Sequence, residues 1–225
     1  MASLNPRSLY GEWFFESKYR YFKKRLPVKR LYFNLMRWTD EITGLNLTAG
    51  YGKTALDVGC AYGFVVELLD ELGYEAYGVD VSKFALMKGS GDMILGDAER
   101  IPFKESCFDL VTCFETIEHL RNPEEALNAI HRILKPGGVF LASTPTPGPP
   151  ATMIHVLSRE PASFHPSLRP IPRWVESLVN SKLKVAGVVH YLLLPIPPNL
   201  LKRYFILKAP RFLSSHVKMV CVKSG

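Results

Sequence analysis

The 225-residue chain has no Cys-x-x-Cys pair, and none of Cys60, Cys107, Cys113 and Cys221 has a histidine cluster beside it at zinc-ligand spacing. That argues against a zinc ribbon or a dithiol redox centre, and reduced thiols in a cytoplasmic protein are expected. No hydrophobic run reaches membrane-spanning length: the longest, Val185 to Pro198, is interrupted by His190 and prolines. The apolar core of a signal peptide is missing from the N-terminus, so no export is expected. There are no internal repeats. G-x-G-x-x-G is absent too, which disfavours a dinucleotide.

What is present fits a soluble globular protein, with 47% hydrophobic and 22% charged residues. The length allows one domain with an appendage and a substantial core. The net charge of +7 is unevenly placed. Residues 18–37 carry +8, residues 38–150 carry −9 and residues 151–225 carry +9. Basic ends around an acidic middle suit an anionic partner, whether phosphate-bearing substrate, nucleic acid or membrane surface. They equally suit basic helices complementing an acidic core.

Residues 8–39 read as helical and aromatic, with Pro27 starting a second helix that carries Leu31, Leu35 and Trp38. Strands and helices alternate from residue 53. Strands are expected at Thr54–Val58, Glu75–Asp80, Met93–Leu95, Phe108–Phe114 and Val139–Ser143, with helices at Phe64–Leu72, Lys83–Lys88 and Pro123–Leu134. Such alternation predicts a mostly parallel sheet covered on both faces. Eight prolines in residues 145–172 predict a stiffened lid. A helix over Pro172–Ser181 follows, then strands at Val185–Leu194 and Val217–Val222 around an apolar insertion at 195–212.

Leu56-Asp57-Val58-Gly59-Cys60-Ala61-Tyr62-Gly63 is a strand breaking into a glycine-bracketed turn before a helix, which makes a ligand cradle. Open α/β sheets bind ligands at the carboxyl ends of their strands. Asp57, Asp80 and Asp97 all fall near such ends. A carboxylate closing the second strand can accept two hydrogen bonds from a ribose diol, and Asp57 ahead of the turn favours a cationic ligand over a pyrophosphate. Each Asp could alone be a helix cap or turn residue.

Six elements follow in order: Asp57-x-Gly59-x-x-x-Gly63, Gly78-Val79-Asp80-Val81-Ser82, Gly96-Asp97-Ala98-Glu99-Arg100-Ile101-Pro102-Phe103, Phe108-Asp109-Leu110-Val111, Ile117-Glu118-His119-Leu120 and Leu134-Lys135-Pro136-Gly137-Gly138. Over about residues 53–145 the chain resembles the class I S-adenosylmethionine-dependent methyltransferases, in the branch that includes the ubiquinone/menaquinone-biosynthesis enzymes. The resemblance implies a Rossmann-like seven-stranded sheet with helices on both faces, its last strand antiparallel. It also implies a methyltransferase domain over 46–225, capped by helices in 1–45, with lid or substrate insertions at 145–172 and 195–212.

By the same resemblance Asp57, Gly59, Cys60, Ala61 and Gly63 frame the methionine end of S-adenosyl-L-methionine, the carboxylate of Asp57 facing its ammonium. Asp80, with Val81 beside it, binds the ribose; Asp97 and the Ala98 N–H take the adenine. Phe114 and Glu115 lie near the methyl group. Ala61 stands where the family often has Gly. If the acceptor must lose a proton, His119, His155, His165 and Glu115 are candidates. Glu115, Glu118 and His119 have the spacing of a metal-binding element in one quinone O-methyltransferase subgroup, but no metal is assigned. Arg169 and Arg173 are candidates for an anionic acceptor, or are solvent-facing. Cys113 is expected in the core. The expected acceptor is a small molecule or lipid-like compound. Alternatives are an RNA, held by the basic flanks, or a non-catalytic cofactor-binding partner protein.

Overall fold

The computed structural model describes residues 9–18, 25–148, 165–195 and 204–224. Its centre is one eight-stranded sheet in the order β3-β2-β1-β4-β5-β8-β6-β7. The strands are β1 (Thr54–Val58), β2 (Glu75–Asp80), β3 (Asp92–Leu95), β4 (Phe108–Phe114), β5 (Leu134–Pro145), β6 (Leu183–Pro195), β7 (Tyr204–Lys208) and β8 (His216–Lys223). β1 and β4 read as near-continuous apolar runs because they lie mid-sheet, buried on both faces. β3, at the edge, is mostly exposed. The first five strands pair in parallel, and β8 runs antiparallel to β5 from Val139↔Val222 to Pro145↔His216.

Among the described residues, five α-helices cover the sheet: α1 (Arg25–Thr43), α2 (Phe64–Glu71), α3 (Lys83–Lys88), α4 (Pro123–Ile133) and α5 (Ile171–Asn180). One core lies under α1 and α2 and includes Leu35, Met36, Leu69, Leu110, Leu141 and Tyr191. A second lies under α4 and α5 and includes Leu127, Ile130, Phe140, Trp174 and Leu178, and a small third cluster joins Phe15, Ala61, Tyr62 and Ala85. α1 buries Val28, Leu31, Tyr32, Leu35, Met36 and Thr39, a stripe at helical spacing. Charges fasten it: Arg25 pairs with Glu67 at 2.9 Å, Lys29 pairs with Glu71, and Lys218 of β8 donates to the Leu35 carbonyl at 2.8 Å.

Three expectations change. The sheet has eight strands rather than seven, because part of the expected 195–212 insertion is β7, pairing with β6 from Tyr191↔Lys208 to Pro195↔Tyr204. α1 (Arg25–Thr43) already includes the two residues before Pro27, so Pro27 does not start it. The Leu134-Lys135-Pro136-Gly137-Gly138 stretch belongs to β5 instead of merely ending a helix. Most of the lid at 145–172 and residues 196–203 lie outside the described residues.

Candidate cofactor and acceptor site

The end of β1 turns sharply because Gly59 and Gly63 take left-handed backbone, at φ of 78° and 77°. A Cβ on Gly59 would stand 2.2 Å from the Thr116 Oγ1, so the β4 side closes tightly on this turn. Ala61 is left-handed too, at 48°, a conformation that a glycine would hold without strain. The turn is tied to β2: Gly59 N–H donates to the Val79 carbonyl at 2.8 Å, and Ala61 N–H to Asp80 Oδ2 at 2.8 Å.

Asp57 is 3% exposed, and the Thr112 hydroxyl donates to its Oδ1 at 2.6 Å. Burial pushes its pKa up to about 7, with the Asp80 charge adding to the rise. Asp80 is also buried. Its two oxygens accept from the Ala61 and Ser82 N–H groups, at 2.8 and 2.7 Å, and burial still raises its pKa. The Cys60 thiol is driven well upward by burial and by both carboxylates, so it is neutral. Asp97 is exposed and caps the short turn Ala98–Arg100 through the Glu99 N–H at 2.9 Å. Val81 is half-buried beside Asp80.

These groups fit the cofactor. Asp57 is an acid walling a cavity, with one hydroxyl as its hydrogen-bond partner, a ready counter-charge for an ammonium. Each Asp80 oxygen keeps a lone pair for a ribose hydroxyl. The glycine turn leaves space that a side chain would fill. The cavity itself, among Val28, Tyr32, Asp57, Gly59, Tyr62 and Phe114, measures only about 20 Å³, room for about one water. Its roof is α1, whose Tyr32 ring stacks on Phe114 at 4.4 Å. Tyr62 of the wall packs edge-on against Phe15, ring centroids 5.2 Å apart.

The expected acceptor-side residues divide into two groups. Glu115 sits just past β4 with φ of 49° and joins Ser143, Tyr191 and His216. Its Oε1 accepts from the Ser143 hydroxyl at 2.6 Å and the Tyr191 hydroxyl at 3.4 Å; its Oε2 lies 3.3 Å from His216 Nε2. Burial opposes its charge, yet His216, Ser143 and His119 hold its pKa below the ordinary value.

His119 and His165 form the second group, with ring centroids 4.6 Å apart and Tyr10 edge-on to His119 at 5.5 Å. Ser167 brings His165 there, its N–H donating to the Glu118 carbonyl at 3.0 Å and its hydroxyl to the Leu120 carbonyl at 2.6 Å. Glu118, His119 and His165 each offer a donor atom, all within 4.8 Å of one another, a set able to hold a divalent cation. Glu115, expected in that set by spacing, is turned away to His216.

Arg169 is not free for an anion: it pairs with Glu124 at 2.6 Å and lies over the Trp174 ring. Arg173 pairs with Glu176 on the surface. Cys113 is in the core, fully buried. His155 lies outside the described residues. Tyr32, Thr112, Ser143, Tyr191 and His216 were not readable as site residues. Tyr32 is one aromatic among many on an amphipathic stripe, and the last two arrive on strands without a motif.

The parallel sheet carries a glycine turn after β1 and acids closing β1 and β2, and residues 56–142 match the methyltransferase domain family. The ubiquinone biosynthesis O-methyltransferase of Pseudomonas paraeruginosa is 33% identical over 137 residues, 56% of each chain. That of an Azoarcus species is 38% identical over 117 residues, 48% of each. The chain thus spans about half the length of the curated relatives it matches. A S-adenosylmethionine-dependent methyltransferase from Archaeoglobus fulgidus has the same fold, with a TM-score of 0.69 at 17% identity, covering 94% of this chain and all of its own. Among the described residues, no helix is long and apolar enough to cross a membrane.

Proposed function

We propose that the chain transfers the methyl group of S-adenosylmethionine to a small-molecule or lipid-like acceptor by in-line displacement. The observation that carries this reading is the buried Asp57 carboxylate in the cavity wall, beside the Gly59 turn and the Asp80 hub. Bound there, the cofactor supplies an already activated methyl on a cationic sulfonium. The protein's work is then alignment. Asp57 holds the ammonium, Asp80 the ribose, and Asp97 with the Ala98 N–H the adenine. Phe114 fixes the wall where the nucleophile enters, and α1 excludes water.

A small acceptor is favoured over RNA because the basic face of α1 is partly spent within the protein: Arg25 and Lys29 pair with Glu67 and Glu71, and Arg37 faces Glu41 at 3.8 Å. The names of the matched relatives, ubiquinone biosynthesis O-methyltransferases, support the same choice. The test supplies labelled S-adenosylmethionine with separated small-molecule, lipid, RNA and protein extracts. Label is expected in the small-molecule or lipid fraction. Label in RNA overturns the acceptor class, and absence of cofactor binding by calorimetry overturns the whole reading.

A further inference from the structure

A cavity of about 610 Å³ opens at the opposite edge of the sheet from the Gly59 turn. Lys184, in its wall, shares a row across the strands with Val222, Val139, Leu110 and Ala55. That row lies at the amino ends of β1 and β4, whereas Gly59 follows the carboxyl end of β1. The walls come from the last turns of α5, the start of β6, His131 near the end of α4 and Ser224 just past β8. The volume is that of a small-molecule site, where about 300–1,000 Å³ is usual.

One wall is apolar and the other cationic. Val175, Val179, Leu183 and Val185 make the first. Val175 and Val179 are four residues apart on α5 and share a face, and Val179 is left 57% exposed. Lys182 and Lys184, both exposed, make the second. No acidic side chain lines the cavity. Among the described residues neither of these ammonium groups has an ion-pair or hydrogen-bond partner. Lys223 differs, since its ammonium donates to the Leu134 carbonyl at 2.7 Å.

The helix ends nearby do not occupy the two lysines. The Ser177 and Val179 carbonyls of α5 take the Ser181 and Lys182 N–H groups at 3.0 and 2.9 Å, and the Leu134 N–H closes α4 on the Ile130 carbonyl. The positive charge is felt inside the cavity: burial, and then the Lys223 and Lys182 charges, lower the His131 pKa. Unpaired cations beside an uncovered apolar wall are complementary to an anion carried on an apolar body. An inorganic anion alone would leave the valines in water, and a neutral chain would leave the lysines unanswered. A flat bilayer surface does not fill a concave site.

We propose that this cavity binds a single anionic amphiphile, its carboxylate or phosphate head against Lys182 and Lys184 and its apolar part along Val175, Val179, Leu183 and Val185. The site is separate from the Asp57 cavity and stands whether or not the chain transfers methyl groups. Its ligand is bound and released unchanged.

The test is calorimetry on the full chain with octanoate and octyl phosphate, both below micelle formation. Octanol, octyltrimethylammonium and inorganic phosphate are the controls. At least one of the two anions is expected to bind, more weakly as salt is raised, and the ratio of their affinities tells which head is preferred. Lys182→Ala combined with Lys184→Ala is expected to weaken binding about tenfold. Val179→Asn, at an exposed position, is expected to weaken it about fivefold. Arg30→Ala combined with Arg37→Ala, which removes the same charge from α1, is expected to leave it unchanged. Melting curves confirm that each variant folds. Binding of neither anion, equal binding of any control, or full affinity in the Lys182 and Lys184 double variant overturns the proposal. Binding to phosphatidylglycerol vesicles with none to the monomeric anions also overturns it and makes this face a membrane contact instead.

Discussion

The Tyr32 ring on α1 lies parallel to the Phe114 ring at the end of β4, centroids 4.4 Å apart and planes 9° apart. This contact roofs a cavity of about 20 Å³, far smaller than a nucleoside with an amino-acid tail. Admission of the cofactor therefore requires α1 to lift or the stack to part. Tyr32→Ala removes the roof at the cost of a buried ring, about 3 kcal/mol of stability. In stopped-flow measurements cofactor association is expected to accelerate several-fold while the melting temperature falls. An unchanged association rate would show that Tyr32 does not gate the site.

The Asp57 carboxyl gives the site a pH dependence whose sign follows from its folded pKa of about 7 against an ordinary 3.8. The folded protein holds the proton more tightly than the unfolded chain does, so this group's contribution to stability falls as pH rises from about 4 to 7 and is flat above. Binding of the cofactor's ammonium favours the charged carboxylate. Affinity is therefore expected to improve from pH 6 to pH 8, with a proton released on binding. Calorimetry in buffers of different ionisation enthalpy measures that proton. Asp57→Asn should abolish both the release and the slope, and persistence of either assigns the effect elsewhere.

The legible parts of the sequence were those where one local rule settles the matter. β1, β2 and β4 match the strands read from apolar runs ending in Val58, Asp80 and Phe114. Asp57 and Asp80 could be placed because a strand end beside a glycine turn has few alternatives. β7 could not, since the prolines of Pro195-Ile196-Pro197-Pro198 speak for a loop and its pairing is decided by β6. Glu115 was singled out by its position after β4, but its partners were invisible: Tyr191 and His216 lie 76 and 101 residues on, in strands joined by pairing rather than by spacing. Spacing grouped Glu115 with Glu118 and His119, and the left-handed turn at Glu115 separated them.

The turn after β1 allows a controlled comparison of strain with crowding. Gly63 and Gly137 both have φ of 77°, but a Cβ on Gly63 would stand 2.2 Å from the Ser90 carbonyl oxygen, whereas Gly137 has nothing within 4 Å. Gly137→Ala is expected to cost about 1 kcal/mol, the backbone term alone. Gly63→Ala adds a backbone clash and is expected to cost about 3 kcal/mol, with weakened cofactor binding. Denaturant melts of the two variants measure the difference, and equal losses would refute the close approach at Gly63.

Lys218 is fully buried on β8, its ammonium donating to the Leu35 carbonyl at 2.8 Å. Burial, with the nearby Lys208 charge, lowers its pKa from 10.5 to about 8. The unfolded chain holds this proton more tightly, so the penalty is complete below pH 8 and fades as pH rises from 8 to 10.5. Replacing the residue by a straight apolar chain of similar volume removes the penalty, and the Leu35 carbonyl keeps the Thr39 hydroxyl at 2.9 Å as a partner. Lys218→Met is therefore expected to raise the melting temperature by about a few degrees at pH 7 and by less at pH 10. A lower melting temperature at pH 7 would mean that the lysine anchors α1 by more than it loses to burial, and α1 would then be a fixed roof held from beneath rather than a movable one.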